Sequence, residues 1–121
     1  MGNTQRVLTI ENHLNNQNVL LIVNPGTMNC CDLPTGFDVI GGIEYGSSAT
    51  MPYVKKSGHG CDGRQGQFAF DVYINSMYQC TQPFDFDSGG SMELSSDNPK
   101  GFVNKLTYDA SGNPIWGLYS I

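Results

Sequence analysis

Four cysteines in 121 residues, with Cys30 and Cys31 adjacent and the others at Cys61 and Cys80, narrow the folds open to this chain. Direct bonding of the two neighbours would close a strained small ring through their shared peptide. Of the three pairings that four cysteines allow, the remaining two send Cys30 and Cys31 separately to Cys61 and Cys80. The expectation is therefore two disulfides that pin one loop to two later segments. A reduced or partly paired state, or a metal site, remains open, although no C-x-x-C spacing favours metal. Cross-links matter here because only 39% of residues are hydrophobic and 15 are glycine. Each would stabilise the fold by roughly 2–4 kcal/mol, mainly through the unfolded chain.

The hydrophobic pattern has the period of strands. Phe68, Phe70, Val72 and Ile74 alternate with Gln67, Ala69, Asp71 and Tyr73, so Gln67 to Ile74 reads as a central strand with one face in the core. Gly63-Arg64-Gln65-Gly66 before it has turn composition. Arg6 to Glu11 and Val19 to Val23 read as two strands around the asparagine-rich loop Asn12 to Asn18. The continuous apolar run of the second suggests burial on both faces, and Asn24-Pro25-Gly26 stops it. Phe37 to Tyr45 reads as a strand interrupted at Gly41-Gly42, where a bulge fits. Phe84 and Phe86 alternate with Asp85 and Asp87, and Ser88-Gly89-Gly90 turns the chain toward Met92 and Leu94. Lys105 to Tyr108 and Pro114 to Tyr119 bracket Asp109 to Asn113 as a second hairpin. No stretch carries helical periodicity for more than a turn or two. The predicted fold is all-β, an antiparallel β-sandwich with two disulfides, with residues 1–121 forming a single recognition domain.

Charge removes some functions. Six basic and eleven acidic residues give a net charge of −5, and such a chain lacks the positive field that nucleic acid requires. The longest apolar run, Val19 to Val23, is far too short to span a bilayer. The first residues, Met1-Gly2-Asn3-Thr4, have neither the basic patch nor the apolar stretch of a signal peptide. The cysteines nevertheless point to a secreted, extracellular protein, which would require a trimmed leader or another export route.

Three constellations could carry chemistry. Asp85-Phe86-Asp87-Ser88-Gly89-Gly90 partly resembles a calcium loop, with oxygen ligands at its first and third positions. Asp85, Asp87, Glu93 and Asp97 are the candidate metal ligands, although Ser96 stands where a bidentate glutamate belongs. The competing reading is a strand whose aspartates face water. His13 and His59, with Glu11, could perform acid–base cleavage of RNA, and His59 beside Cys61 could form a nucleophile pair if that thiol were free. A flexible glycine-rich loop, with Cys61 in a disulfide, is the favoured reading of His59. Aromatic residues give the third lead. Tyr45, Tyr53 and Trp116, near turns or chain ends, together with Asn15 and Asn16, form the candidate ligand-binding surface, since aromatic and amide groups suit hydroxyl-rich ligands and membrane interfaces. The bland alternative leaves most tyrosines half-buried in strands.

The order of pieces resembles the aegerolysins, small acidic β-sandwich proteins. The similarity rests on Val7-Leu8-Thr9-Ile10-Glu11-Asn12 as an opening strand and on Tyr45-Gly46-Ser47-Ser48 before a mid-chain strand. It also rests on Gly66-Gln67-Phe68-Ala69-Phe70-Asp71-Val72 and on Ser96-Asp97-Asn98-Pro99-Lys100-Gly101. The resemblance implies recognition of sphingolipid- or sterol-rich membranes, in some members as one half of a two-component pore. The chain departs from that pattern in having Trp116 as its single tryptophan and in its Cys30-Cys31 pair.

The function expected from sequence is non-enzymatic, cytolysin-like recognition of a membrane lipid headgroup, with no cofactor and oligomerisation possible. A lectin-type defence protein that binds a cell-surface glycan is the alternative. A small secreted hydrolase or ribonuclease is the second.

Overall fold

The structure, a computed structural model, describes residues 3–33, 38–58 and 60–121. Ten strands account for most of it: β1 Arg6–His13, β2 Val19–Val23, β3 Cys31–Asp32, β4 Val39–Ile43, β5 Ser48–Lys55, β6 Gly66–Ile74, β7 Met77–Phe86, β8 Met92–Leu94, β9 Val103–Tyr108 and β10 Pro114–Tyr119. A single 3-10 turn, Pro25–Thr27, is the only helical element among the described residues.

The strands form two five-stranded sheets, ordered β3-β5-β1-β10-β9 and β4-β2-β6-β7-β8, here the first and second sheets. All neighbours are antiparallel except β1 and β10, which run parallel from Thr9↔Ile115 to His13↔Tyr119. The fold is thus all-β and antiparallel-rich, with one mixed sheet.

Alternation within the strands places one core between the sheets. Leu8 and Ile10 of β1, Met51 and Tyr53 of β5, and Trp116 and Leu118 of β10 meet Leu21 of β2, Phe68, Phe70 and Val72 of β6, and Phe84 and Phe86 of β7. Trp116 ties the layers together. Its ring stacks on Phe70 with centroids 5.7 Å apart and meets Phe84 edge-on at 5.0 Å. Burial of side chains of this size is worth roughly 1.5–3 kcal/mol each, so these contacts hold the two sheets together. The β2 strand alternates rather than being buried on both faces, because Val19, Leu21 and Val23 point inward while Leu20 and Ile22 remain half-covered outside. The predicted irregularity at Gly41-Gly42 is present as a register shift between β2 and β4.

Polar groups enter the core only with partners. The Trp116 indole N–H donates to Asn104 Oδ1 at 2.8 Å, Asn104 Nδ2 donates to Gln82 Oε1 at 2.7 Å, and Gln82 Nε2 donates to the Ser96 carbonyl at 2.7 Å. Asn12, also fully buried, donates to the carbonyls of Gln17 and Ile43 and accepts from the Leu14 N–H. Among the described residues, no buried side-chain nitrogen or oxygen lacks a partner.

One disulfide is formed, not two. Cys30 bonds Cys61 with Cα atoms 5.4 Å apart, whereas Cys31 and Cys80 are free and buried. The backbone separates the neighbours: Cys30 occupies a bend at φ 52°, while Cys31 begins β3, where its Sγ turns inward to the Gln67 carbonyl at 3.2 Å. Cys80 lies on the inner face of β7, opposite Val72. Burial pushes the Cys31 thiol up to about 11, which leaves it protonated and unreactive. Alkylation without reductant is expected to spare the native protein and to label two of its four cysteines in denaturant, with all four labelled after reduction. Mass spectrometry after each treatment checks this count.

Candidate functional site

The end of the sandwich that carries the β7–β8 hairpin is built around Asp87. The turn between β7 and β8 closes through Gly90 N–H to the Asp87 carbonyl and Ser91 N–H to Asp87 Oδ1, both 3.0 Å. Gly90 has φ +85°, and a Cβ there would lie 2.3 Å from Arg6 Cγ, so only glycine suits this corner. Arg6 reaches across it. Its Nε donates to the Gly89 carbonyl at 3.1 Å and its Nη1 to the Ser111 carbonyl at 2.6 Å, clamping the β7–β8 turn to the β9–β10 loop. From beneath, the buried Tyr53 hydroxyl donates to the Gly90 carbonyl.

The described residues of the segment that follows β5, 56–58 and 60–65, approach the same corner, tethered by Cys30–Cys61 and by Lys56 N–H to the Cys30 carbonyl at 2.9 Å. Lys55, only 5% exposed, directs Nζ to the Cys61 carbonyl at 2.7 Å.

Two adjoining depressions result. One, about 230 Å³, is lined by Lys55, Gly63, Arg64, Gln65, Asp87 and Ser88. The other, about 330 Å³, is lined by Gln65, Asp87, Ser91, Met92, Glu93 and Tyr108. Gln65 and Asp87 belong to both and form their common wall. The first contains two cationic side chains, Lys55 and Arg64, against the single carboxylate of the shared Asp87. The second offers two carboxylates and the face of Tyr108, which is 48% exposed. Burial raises the pKa of the Tyr108 phenol, and its hydroxyl remains a donor to the Met92 carbonyl, which holds the ring along the edge of the groove. A cationic pocket beside an anionic, aromatic one can engage both poles of a zwitterion.

The residues singled out from sequence scatter over the molecule. Tyr53 and Trp116 are not surface residues: Tyr53 is 1% exposed and Trp116 fully buried. Inward parity on β5 and the interior position of β10 put both in the core, with their polar atoms bonded to Gly90 and Asn104. Asn15, Asn16 and Tyr45 are exposed, but at the opposite end of the sandwich. There Asn12 draws the 14–18 loop and the end of β4 together, and Asn15 N–H donates to Ser120 Oγ at 3.2 Å.

The candidate metal ligands do not gather into one cluster. No three candidate ligands converge among the described residues. Asp85 accepts from Gln67 Nε2 at 2.9 Å, Asp87 closes its own turn, and Asp97 accepts from Asn104 at 3.0 Å, so these carboxylates serve the strands and turns. Asp87 and Glu93 do share the acidic depression. Of the acid–base pair, His13 ends β1 rather than lying in the loop; its Nε2 meets Glu11 Oε1 at 3.0 Å and its ring stacks on Tyr119 at 4.3 Å. His59 lies outside the described residues.

Sequence reading missed Lys55, Arg64, Gln65 and Tyr108 as a group. The one available signal was β5 parity, which puts Met51, Tyr53 and Lys55 on the same face. No protein-family model matches the chain, and neither a curated protein nor a solved structure matches it.

Proposed function

We propose that the protein is a non-enzymatic recognition module for a zwitterionic membrane lipid headgroup, exported to an oxidising compartment. The observation that carries this reading is the pair of adjoining depressions, one with Lys55 and Arg64 and the other with Glu93 and Tyr108, that share Gln65 and Asp87. A headgroup phosphate would take hydrogen bonds from Arg64, with the buried Lys55 adding its charge from beneath, and the ammonium would lie against Glu93, Asp87 and the ring of Tyr108. The overall charge of −5 disfavours anionic surfaces, which leaves a neutral, zwitterionic membrane as the suited target. The disulfide supports the extracellular assignment, and the sequence resemblance to aegerolysins points to the same ligand class. Among the described residues no helix is long and apolar enough to cross a membrane, and docking through the groove requires none.

Flotation with phosphatidylcholine or sphingomyelin–cholesterol vesicles, set against phosphatidylglycerol vesicles, tests the proposal. Binding should favour the zwitterionic vesicles and be displaced by phosphocholine. Arg64→Ala and Glu93→Gln, both at exposed positions, should each weaken it by about tenfold, the effect of one charge-assisted hydrogen bond. Equal binding to both vesicle types, or no binding to either, defeats the reading.

A further inference from the structure

The outer face of the second sheet presents a polar and aromatic patch that the groove does not use. Asp71 and Tyr73 are alternate residues of β6, with Thr81 of β7 paired opposite Asp71 and Tyr78 opposite Tyr73. A register shift between Val72 and Tyr73 breaks the regular ladder there. The two tyrosine rings meet edge to face with centroids 5.6 Å apart. Leu20 of β2 lies directly beside Tyr73, and Tyr78 is 54% exposed.

A line of hydrogen bonds runs beneath these rings. The Thr81 hydroxyl donates to Asp71 Oδ1 at 2.7 Å, the Tyr78 hydroxyl lies 2.8 Å from Thr81 Oγ1, and Asn24 Nδ2 donates to the same Asp71 oxygen at 3.4 Å. Both contacts to Asp71 fall on one oxygen. Among the described residues no donor reaches Asp71 Oδ2, so this half-exposed carboxylate is held in one orientation with an acceptor to spare.

We infer that this patch, formed by Asn24, Asp71, Tyr73, Tyr78 and Thr81, binds the ring of an uncharged saccharide. The apolar face of a pyranose matches a tyrosine ring, and adjacent hydroxyls match a fixed carboxylate acceptor and a nearby amide. An anionic sugar is disfavoured by Asp71 itself, and nothing cationic in the patch would offset that charge. The inference stands apart from the headgroup proposal, because it uses different residues on a different surface.

The test is an array of uncharged oligosaccharides, followed by NMR titration with the methyl glycoside of the best-bound terminal sugar. Binding should move the amide signals of Asp71, Tyr73 and Tyr78. Asp71→Asn, which keeps the Thr81 contact, and Tyr78→Ala should each raise the dissociation constant by about tenfold or more. Both variants should float with phosphatidylcholine vesicles like the parent, which separates failure at this patch from failure at the groove. Thr81→Val supplies a second probe if Asp71→Asn folds poorly. Absence of any uncharged-sugar binding overturns the inference, and so does binding that all these variants retain or signals that move elsewhere.

Discussion

Replacing Asn12 with alanine should lower the unfolding free energy by about 3 kcal/mol. Its side chain is fully buried and makes three hydrogen bonds: Nδ2 to the Gln17 carbonyl at 2.7 Å and to the Ile43 carbonyl at 2.8 Å, and Oδ1 from the Leu14 N–H at 2.8 Å. Alanine cannot replace any of them. A buried backbone group left without a partner costs roughly 1–3 kcal/mol, and water entering the space left by the side chain can satisfy part of the three groups, which brings the sum to the low end of the range. The melting temperature should fall by on the order of 10 °C for a domain of this size. Denaturant unfolding should show a lower midpoint with an unchanged slope. Asn15→Ala, exposed on the same loop, is the control and should change stability by less than about 0.5 kcal/mol. Equal effects from the two substitutions would mean that Asn12 does not brace the loop.

Removing the Cys30–Cys61 bond, by Cys30→Ser with Cys61→Ser or by a mild reductant, should cost about 3.5 kcal/mol. The bond spans 31 residues, and the chain-entropy relation for such a loop supplies that magnitude. The denaturant slope should rise, since an uncross-linked unfolded chain exposes more surface. Function should suffer beyond stability. The bond anchors the segment that brings Arg64 and Gln65 to the groove, so phosphatidylcholine binding should weaken while the folded β signature in circular dichroism persists. Unchanged binding in the folded, unbridged protein would mean that the loop keeps its place without the bond.

The strands were largely legible because alternation is a local signal. Val19–Val23 and Gln67 to Ile74 were readable to within a residue at each end, as were the turns at Ser88–Gly90 and Asp109–Asn113. The first half of β7 escaped because Gln82 stands on its inner face between Cys80 and Phe84; a polar residue there looks like a break until Asn104 and Ser96 are seen to satisfy it. Trp116 and Tyr53 were misread for a related reason. A strand near the chain end looks peripheral, yet pairing with β1 places β10 at the interior of its sheet. On β5, Lys55 shares the inward face with Tyr53, and a lysine at that parity argues for an exposed face. The groove depends on three segments distant in sequence, one of them anchored from outside the groove by a disulfide whose partner could not be chosen from spacing alone. Only the acidic pair Asp87 and Glu93 stood out beforehand, and as candidate metal ligands, which do not cluster in threes among the described residues.

The parallel pairing of β1 with β10 also governs when the molecule can take shape. Residues 6–13 leave the ribosome early, but their partner, residues 114–119, emerges more than a hundred positions later. Until then one long edge of β1 stays unpaired, and Trp116 is absent from the gap between the layers. Such distant closure predicts slow folding, in the millisecond-to-second range of β-rich topologies. A chain arrested short of residue 114 should expose Phe70 and Phe84 and engage chaperones, becoming protease-resistant only once its last strand is released.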